Sequence, residues 1–114
     1  NVLDVPLEYM STVQQGMDAY AMNSSVINKI GINTAGKTGT AEQSVNHPNH
    51  ALFIGYAPYE SPEIALAVRI AHGYTSANAA SVAADVYKYY FDLVEKDELL
   101  SGEASATSGT VAGD

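Results

Sequence analysis

The sequence of 114 residues has no cysteine, few basic residues and no long hydrophobic run. The absence of cysteine excludes a disulfide framework, a zinc–thiolate site and a thiol nucleophile. Only five Lys and Arg stand against thirteen Asp and Glu, which gives a formal net charge of −8. A nucleic-acid backbone or an anionic membrane surface would repel such a chain, and no apolar run approaches the roughly 20 residues of a membrane-spanning helix. We therefore expect no nucleic acid and no direct membrane contact from this segment.

Apolar residues recur with the periods of helices and strands. Helical spacing predicts one helix over residues 6–21 and a second that begins near Asn78, with Ser76 or Asn78 as its cap. Two short apolar runs, residues 51–57 and 63–71, predict strands. The connection between them is too short for a parallel crossover, so they should pair as an antiparallel hairpin. The predicted inward stripe of the second helix comprises Ala79, Val82, Ala83, Val86, Tyr90, Leu93 and Val94.

The second predicted strand is apolar on both faces. Large residues at positions 64, 66, 68 and 70 alternate with mostly small ones at positions 65, 67, 69 and 71. A strand of this kind belongs in a sheet that helices cover on both sides. The predicted fold class is therefore α+β, an antiparallel sheet with helices on both faces in three layers.

The chain is predicted to be one folded portion followed by a tail. Residues 1–100 form the folded portion, whereas residues 101–114 contain almost nothing to bury and predict a flexible tail. The chain begins at Asn1 rather than Met, and no basic and apolar leader precedes Pro6. We therefore expect a piece of a longer protein.

Residues 31–38, GINTAGKT, match the phosphate-loop pattern G-x-x-x-x-G-K-[ST] in every letter. A phosphate loop works because its backbone N–H groups surround the phosphates and lead directly into the N-terminus of a helix. Here Lys37 and Thr38 are followed by Gly39 and then by residues without an apolar repeat at helical spacing. A strand is therefore favoured over the alternative of a P-loop nucleotide binder, which ATP and magnesium would stabilise.

As a strand at the edge of the sheet, the residues KTGT at 37–40 would offer a cation, two hydroxyls and open backbone. Side chains alternate along a strand, so Lys37 and Gly39 share one face and Thr38 and Thr40 share the other. Gly39 leaves the backbone approachable by a ligand, and at an edge side chains from both faces can reach that ligand. These groups suit a carboxylate and a peptide-like backbone.

Three segments resemble the C-terminal part of the transpeptidase domain of penicillin-binding proteins, in the group of serine D,D-transpeptidases and β-lactamases. They are AGKTGTAE at residues 35–42, ALFIGYAP at 51–58 and PEIALAV at 62–68. The resemblance implies that residues 1–100 are the C-terminal portion of such a domain, an incomplete fragment of the penicillin-binding transpeptidase fold. The implied activity is the cross-linking of peptidoglycan stem peptides, with acylation by β-lactams.

The same resemblance implies a role for each residue of the K-T-G-T segment. Lys37 would support catalysis by orienting the active-site hydroxyls and attracting the terminal carboxylate of a D-Ala-D-Ala peptide or a β-lactam. Thr38 and Thr40 would hydrogen-bond that carboxylate, and Gly39 would let the substrate dock close to the strand. The backbone N–H of Thr40 would be one donor of the oxyanion hole.

The family's nucleophile is the serine of S-x-x-K, and this chain contains no such motif. The residues three positions before its lysines are Val26, Thr34, Asp85 and Leu93. The S-x-N patterns at Ser44 and Ser76 follow K-T-G, whereas the family's S-x-N precedes it, so we interpret them as a loop and a helix cap. We therefore expect no catalytic nucleophile in this chain, which should be inactive alone.

The resemblance also implies partners and a location. The substrate partners are the D-Ala-D-Ala stem peptide and β-lactams, and the serine would come from the rest of the transpeptidase domain. In the family, strands from the N-terminal part of the domain pair with the strand that follows the hairpin. The outer edge of residues 63–71 should therefore be covered by a companion chain, a second copy or a rearranged segment. The implied location is the extracytoplasmic face of a bacterial cell membrane, with the membrane anchor outside this chain.

Two further interpretations concern binding. A non-catalytic binding or interaction module on the same fold is the alternative to an enzyme, and S-x-x-K upstream of Asn1 would discriminate between the two. His47 and His50, spaced as HPNH, could suggest a metal site, but Pro48 and Asn49 predict a loop and no third ligand is evident. We therefore predict neither a metal nor another cofactor.

Overall fold

A computed structural model describes residues 4–100 of the chain. The predicted helices and strands are present with bounds that differ by a few residues, and a short third helix was not predicted. The predicted tail, residues 101–114, lies outside the described residues. In chain order the elements are α1 (Leu7–Asn23), a 3₁₀ turn (Ile27–Lys29), β1 (Ala35–Ala41), β2 (His50–Ala57), β3 (Ile64–Ile70), α2 (Ser76–Tyr90) and α3 (Lys96–Leu100).

The strands form one antiparallel sheet in the order β1-β2-β3, so β2 is central. The predicted hairpin is confirmed, since Ala57 lies opposite Ile64 and Phe53 lies opposite Val68. On the other side of β2, Lys37 lies opposite Ile54 and Thr38 lies opposite Phe53. Because cross-strand partners share a face, Thr38 lies on the face of Phe53 and Lys37 on the opposite one.

Helices lie on both faces of the sheet, as the sequence predicts. Helix α2 packs on the face that carries Phe53, a side chain that is 1% exposed. Helix α1 lies over the opposite face along β1, where the Tyr20 ring lies 5.5 Å from the Lys37 Nζ atom. The negative charge of Asp18 on α1 also acts on Tyr56 of β2. The three-layer arrangement is therefore confirmed, with α1 covering only the β1 side of its face.

The inward face of α2 differs from the prediction. Val82, Val86 and Tyr90 are exposed by 43%, 40% and 47%, and the helix ends at Tyr90, before Leu93 and Val94. Alanine has little surface of its own to bury, but it lets a helix backbone lie close to a sheet, where Phe53 and the large residues of β3 fill the space. The predicted caps are also wrong, because Thr75 accepts the hydrogen bond of the Ala77 N–H. The side chains of α2 that are buried are Ala79, Ala80, Ala83, Ala84 and Tyr87.

Phe53 fixes the distance between β1 and β2. Its ring covers the cross-strand pair of Gly36 and Gly55. A Cβ atom on Gly36 would lie 2.6 Å from the Phe53 Cζ atom, and one on Gly55 would lie 2.6 Å from the carbonyl oxygen of Ala35. Both distances are shorter than ordinary van der Waals contacts, so a side chain at position 36 would displace the Phe53 ring and one at position 55 would displace the backbone of Ala35. The ring therefore packs against β1 at Gly36, the residue immediately before Lys37.

The outer edge of β3 pairs with no other strand among residues 4–100. A rearranged segment, one of the three predicted covers, is therefore not found in the part of the chain that the structure describes. Cover by a companion chain or by a second copy stays a prediction.

Tyr87 of α2 offers a test of the core. Its side chain is 0% exposed, its hydroxyl has no hydrogen-bond partner among the described residues, and burial raises its pKa. Leaving a buried hydroxyl unpaired costs about 1–3 kcal/mol, so Tyr87→Phe should raise the free energy of unfolding by about 1 kcal/mol. Tyr87→Ala should lower it by about 3–5 kcal/mol because it leaves a cavity. Urea denaturation followed by circular dichroism measures both, and a destabilised Phe variant would contradict the unpaired hydroxyl.

Candidate functional site

The residues KTGT at 37–40 lie within β1, an extended strand at the edge of the sheet. The next element along the chain is β2, so no helix begins after Lys37 and Thr38. A phosphate loop requires that helix, because its N-terminus supplies backbone donors and positive potential. The nucleotide-binding interpretation of residues 31–38 is therefore wrong, and the strand interpretation is confirmed.

Lys37 is an exposed cation without a carboxylate partner among the described residues. Its Nζ atom donates a hydrogen bond of 2.8 Å to the carbonyl oxygen of Thr38. The same atom lies 5.5 Å from the centroid of the Tyr20 ring, within the range of a cation–π contact. Neither contact neutralises the charge, so the ammonium group is available to an anion at the edge of the sheet.

Thr38 and Thr40 lie on the other face, opposite Phe53 and Ala51. Thr38 is half-buried and Thr40 is exposed. The strand therefore brings the predicted site residues into one segment but not onto one face. A ligand that contacts Lys37 and both hydroxyls must lie along the open edge of β1.

Gly39 differs from the glycines that lie under Phe53. A Cβ atom at this position would lie 3.6 Å from the Leu52 Cβ atom and 3.7 Å from its Cδ1 atom, which are ordinary contacts. Packing among the described residues therefore does not require glycine at position 39, whereas it does at Gly36 and Gly55. The open backbone at Gly39 is consistent with a ligand that approaches the strand closely.

A histidine cluster lies at the end of the strands beyond Thr40. His72, which follows β3, lies with its ring centroid 4.9 Å from that of His50 and 5.4 Å from that of His47. Sequence analysis singled out the two histidines of HPNH and missed the third. The hairpin register could have found it, because Ile70 lies opposite Ala51 and the chain then turns back toward His50. No group of three or more His, Cys, Asp and Glu among residues 4–100 is arranged to hold a metal ion.

Comparison with known families gives a match over most of the chain. The sequence model of the penicillin-binding protein transpeptidase domain matches residues 1–91. Within residues 4–100, none of the helices is long and apolar enough to cross a membrane.

Comparison with individual proteins gives relatives of the same kind. Peptidoglycan D,D-transpeptidase MrdA of Acinetobacter baumannii is 32% identical in an alignment 89 residues long that covers 66% of this chain and 13% of that protein. The crystal structure of Pseudomonas aeruginosa PBP2 in complex with WCK 5153 is 31% identical and covers 93% of this chain and 23% of its own, with a TM-score of 0.67. The imipenem acyl-enzyme complex of penicillin-binding protein A from Mycobacterium tuberculosis is 28% identical and covers 79% of this chain and 20% of its own, with a TM-score of 0.64. The chain thus spans about a quarter or less of the relatives it matches.

The contrast between the glycines of β1 and β2 can be tested by stability. Gly55→Ala should lower the free energy of unfolding by about 1–3 kcal/mol, because its Cβ atom would collide with the backbone of Ala35. Gly39→Ala should change it by no more than about 0.5 kcal/mol, because its Cβ atom meets only ordinary contacts. Urea denaturation of both variants measures the difference, and equal losses would show that position 39 is as tightly packed as position 55.

Proposed function

The chain belongs to the penicillin-binding protein transpeptidase domain family, and from that membership we propose that it forms one wall of a D,D-transpeptidase active site. The reaction is the cross-linking of peptidoglycan stem peptides. The observation that carries the proposal is the extended K-T-G-T segment on the open edge of β1, with an unpaired cation and a glycine that packing does not require.

The wall binds the substrate by charge and by hydrogen bonds. Lys37 releases the Thr38 carbonyl and turns its ammonium group toward the terminal carboxylate of the D-Ala-D-Ala peptide or the carboxylate of a β-lactam. Thr38 and Thr40 donate hydroxyl hydrogen bonds to the same carboxylate, and bonds to a charged acceptor are about twice as strong as neutral ones. Gly39 lets the peptide backbone lie alongside the strand. The backbone N–H of Thr40 stabilises the negative oxygen that develops on the attacked carbonyl.

The nucleophile comes from outside this chain. None of the lysines of this chain has a serine three positions before it, so the chain contains no S-x-x-K motif. The chain also spans only 13% of the curated relative. The serine and its activating lysine therefore belong to the rest of the transpeptidase domain. The M. tuberculosis relative was solved as an imipenem acyl-enzyme, which supports acylation of the whole protein by β-lactams. A protein that cross-links peptidoglycan works where peptidoglycan lies, so the proposed location of this protein is the extracytoplasmic face of a bacterial membrane, with its anchor in another segment.

Labelling with a fluorescent penicillin tests the proposal. The protein with its upstream segment should be labelled covalently, and the isolated chain should not. Lys37→Ala in the longer protein should lower the acylation rate by about 100-fold or more, as the loss of one electrostatic contact to a reacting substrate typically does. Lys29→Ala, which removes an exposed lysine from the 3₁₀ turn, is the matched control and should leave the rate unchanged.

Three results would overturn parts of this proposal. Covalent labelling of the isolated chain would place a nucleophile within it. An unchanged acylation rate in Lys37→Ala would show that the K-T-G wall does not take part in the reaction. Reversible binding of penicillin by the longer protein without covalent labelling would favour the non-catalytic binding module.

A further inference from the structure

The loop between β1 and β2, residues 42–49, begins two residues after Thr40 and is tied to the corner between β3 and α2. The His50 Nε2 atom lies 3.0 Å from the Gln43 Oε1 atom, and the backbone N–H of His72 donates to the His50 Nδ1 atom at 3.0 Å. The His72 Nδ1 atom lies 3.0 Å from the carbonyl oxygen of Pro48. We name these residues, Gln43, Pro48, His50 and His72, the histidine clasp.

The contacts of the clasp determine where the imidazole protons lie. A backbone N–H can only donate, so the His50 Nδ1 atom carries no proton and accepts from His72. The proton of neutral His50 is therefore on Nε2, where it is donated to the Gln43 side-chain oxygen. A carbonyl oxygen can only accept, so the His72 Nδ1–H donates to Pro48. His50 thus joins the loop to the corner only in its neutral form.

The corner that the clasp holds is locally strained. His72 and Tyr74 have φ angles of 53° and 65°, a left-handed conformation that is unfavourable for a residue with a side chain. A further bond supports this corner, since the Tyr74 N–H donates to the Asn49 carbonyl oxygen at 3.1 Å. The loop and the corner therefore hold each other in place, and His50 is the side chain that bonds to both.

We propose that His50 is a positioning residue, which holds the β1–β2 loop beside Thr40 through the histidine clasp and releases it when protonated. This inference rests on the proposed function, because the loop borders the proposed substrate-binding edge. A proton on the His50 Nδ1 atom would face the N–H of His72, donor against donor, so the bond between His50 and His72 would be lost. Only the bonds to the carbonyl oxygens of Pro48 and Asn49 would then join the loop to the corner. Acid therefore loosens the clasp and slows acylation.

The surrounding charges act in the same direction. Burial, the guanidinium of Arg69 on β3 and the imidazole of His72 at the corner lower the pKa of His50 below its usual value of 6.5. His47 of the loop contacts His72 rather than bonding to His50. Because the clasped state disfavours the proton, its stability is complete above pH 6.5 and is lost as the pH falls through the lowered pKa of His50. The clasp is therefore closed at neutral pH.

Variants of the protein with its upstream segment test this role, through the rate of acylation by fluorescent penicillin between about pH 5 and pH 8. His50→Asn keeps an acceptor for the His72 N–H but does not titrate, so it should keep most of the rate at neutral pH and lose the decline in mild acid. His50→Leu removes the acceptor and should lower the rate about 10-fold or more at every pH, because the loop is misplaced. His47→Asn is the matched control and should leave the pH profile unchanged.

Hydrogen exchange of the same proteins without penicillin separates this inference from the proposed function. Protection is the intrinsic exchange rate of an unfolded amide at the same pH divided by the measured rate. The backbone amide of His72 and the loop should be less protected in His50→Leu at neutral pH, and less protected in the unaltered protein below pH 6.5 than above it. If the protein is never acylated but shows this pattern of hydrogen exchange, the transpeptidase function is overturned and the clasp is supported. An acid decline in acylation that His50→Asn retains, or protection of the His72 amide that is independent of pH, would overturn the clasp.

Discussion

The close pairing of β1 with β2 beneath the Phe53 ring is the constraint on which the candidate site depends. The ring touches two glycines that face each other across the strands, and any side chain at either position would push β1 away. Lys37 follows the first of these glycines directly, so the packing that fixes Gly36 also fixes the position of the cation. A core contact on one face of the sheet thereby positions a binding segment whose reactive groups lie at the edge.

An uncovered edge is unfavourable for a strand, because its backbone groups bond only to water and can attract another chain. In the proposed function the open edge of β1 binds the substrate, since a peptide-like substrate can lie beside it as an additional strand. The two outer edges of this sheet therefore differ in the groups that they present. That of β1 carries a cation, hydroxyls and a glycine, whereas that of β3 carries an apolar strand suited to pairing with protein.

The sequence could predict the elements and the extended K-T-G-T segment because each depends on local patterns. The apolar runs of residues 51–57 and 63–71 and the short turn between them predicted the hairpin. The inward face of α2 could not be predicted from hydrophobicity, because Val82 and Val86 are more hydrophobic than the alanines that let the helix approach the sheet. His72 was missed because its contact with His50 depends on the strand register and on a left-handed corner.

The net charge of −8 opposes the approach of an anion from a distance, but the proposed binding of a carboxylate depends on short distances. Charges separated by more than about 8 Å in physiological salt are largely screened, so a substrate at the edge of β1 responds mainly to its immediate neighbours. Lys37 and Arg69 project from the same face of the sheet, where Ile54 and Leu52 are the intervening residues of β2. Two strand spacings, about 10 Å, separate Arg69 from Lys37, and the negative charge of Asp18 acts on the same face. The cation nearest to the proposed binding edge is therefore Lys37, beside the hydroxyls of Thr38 and Thr40.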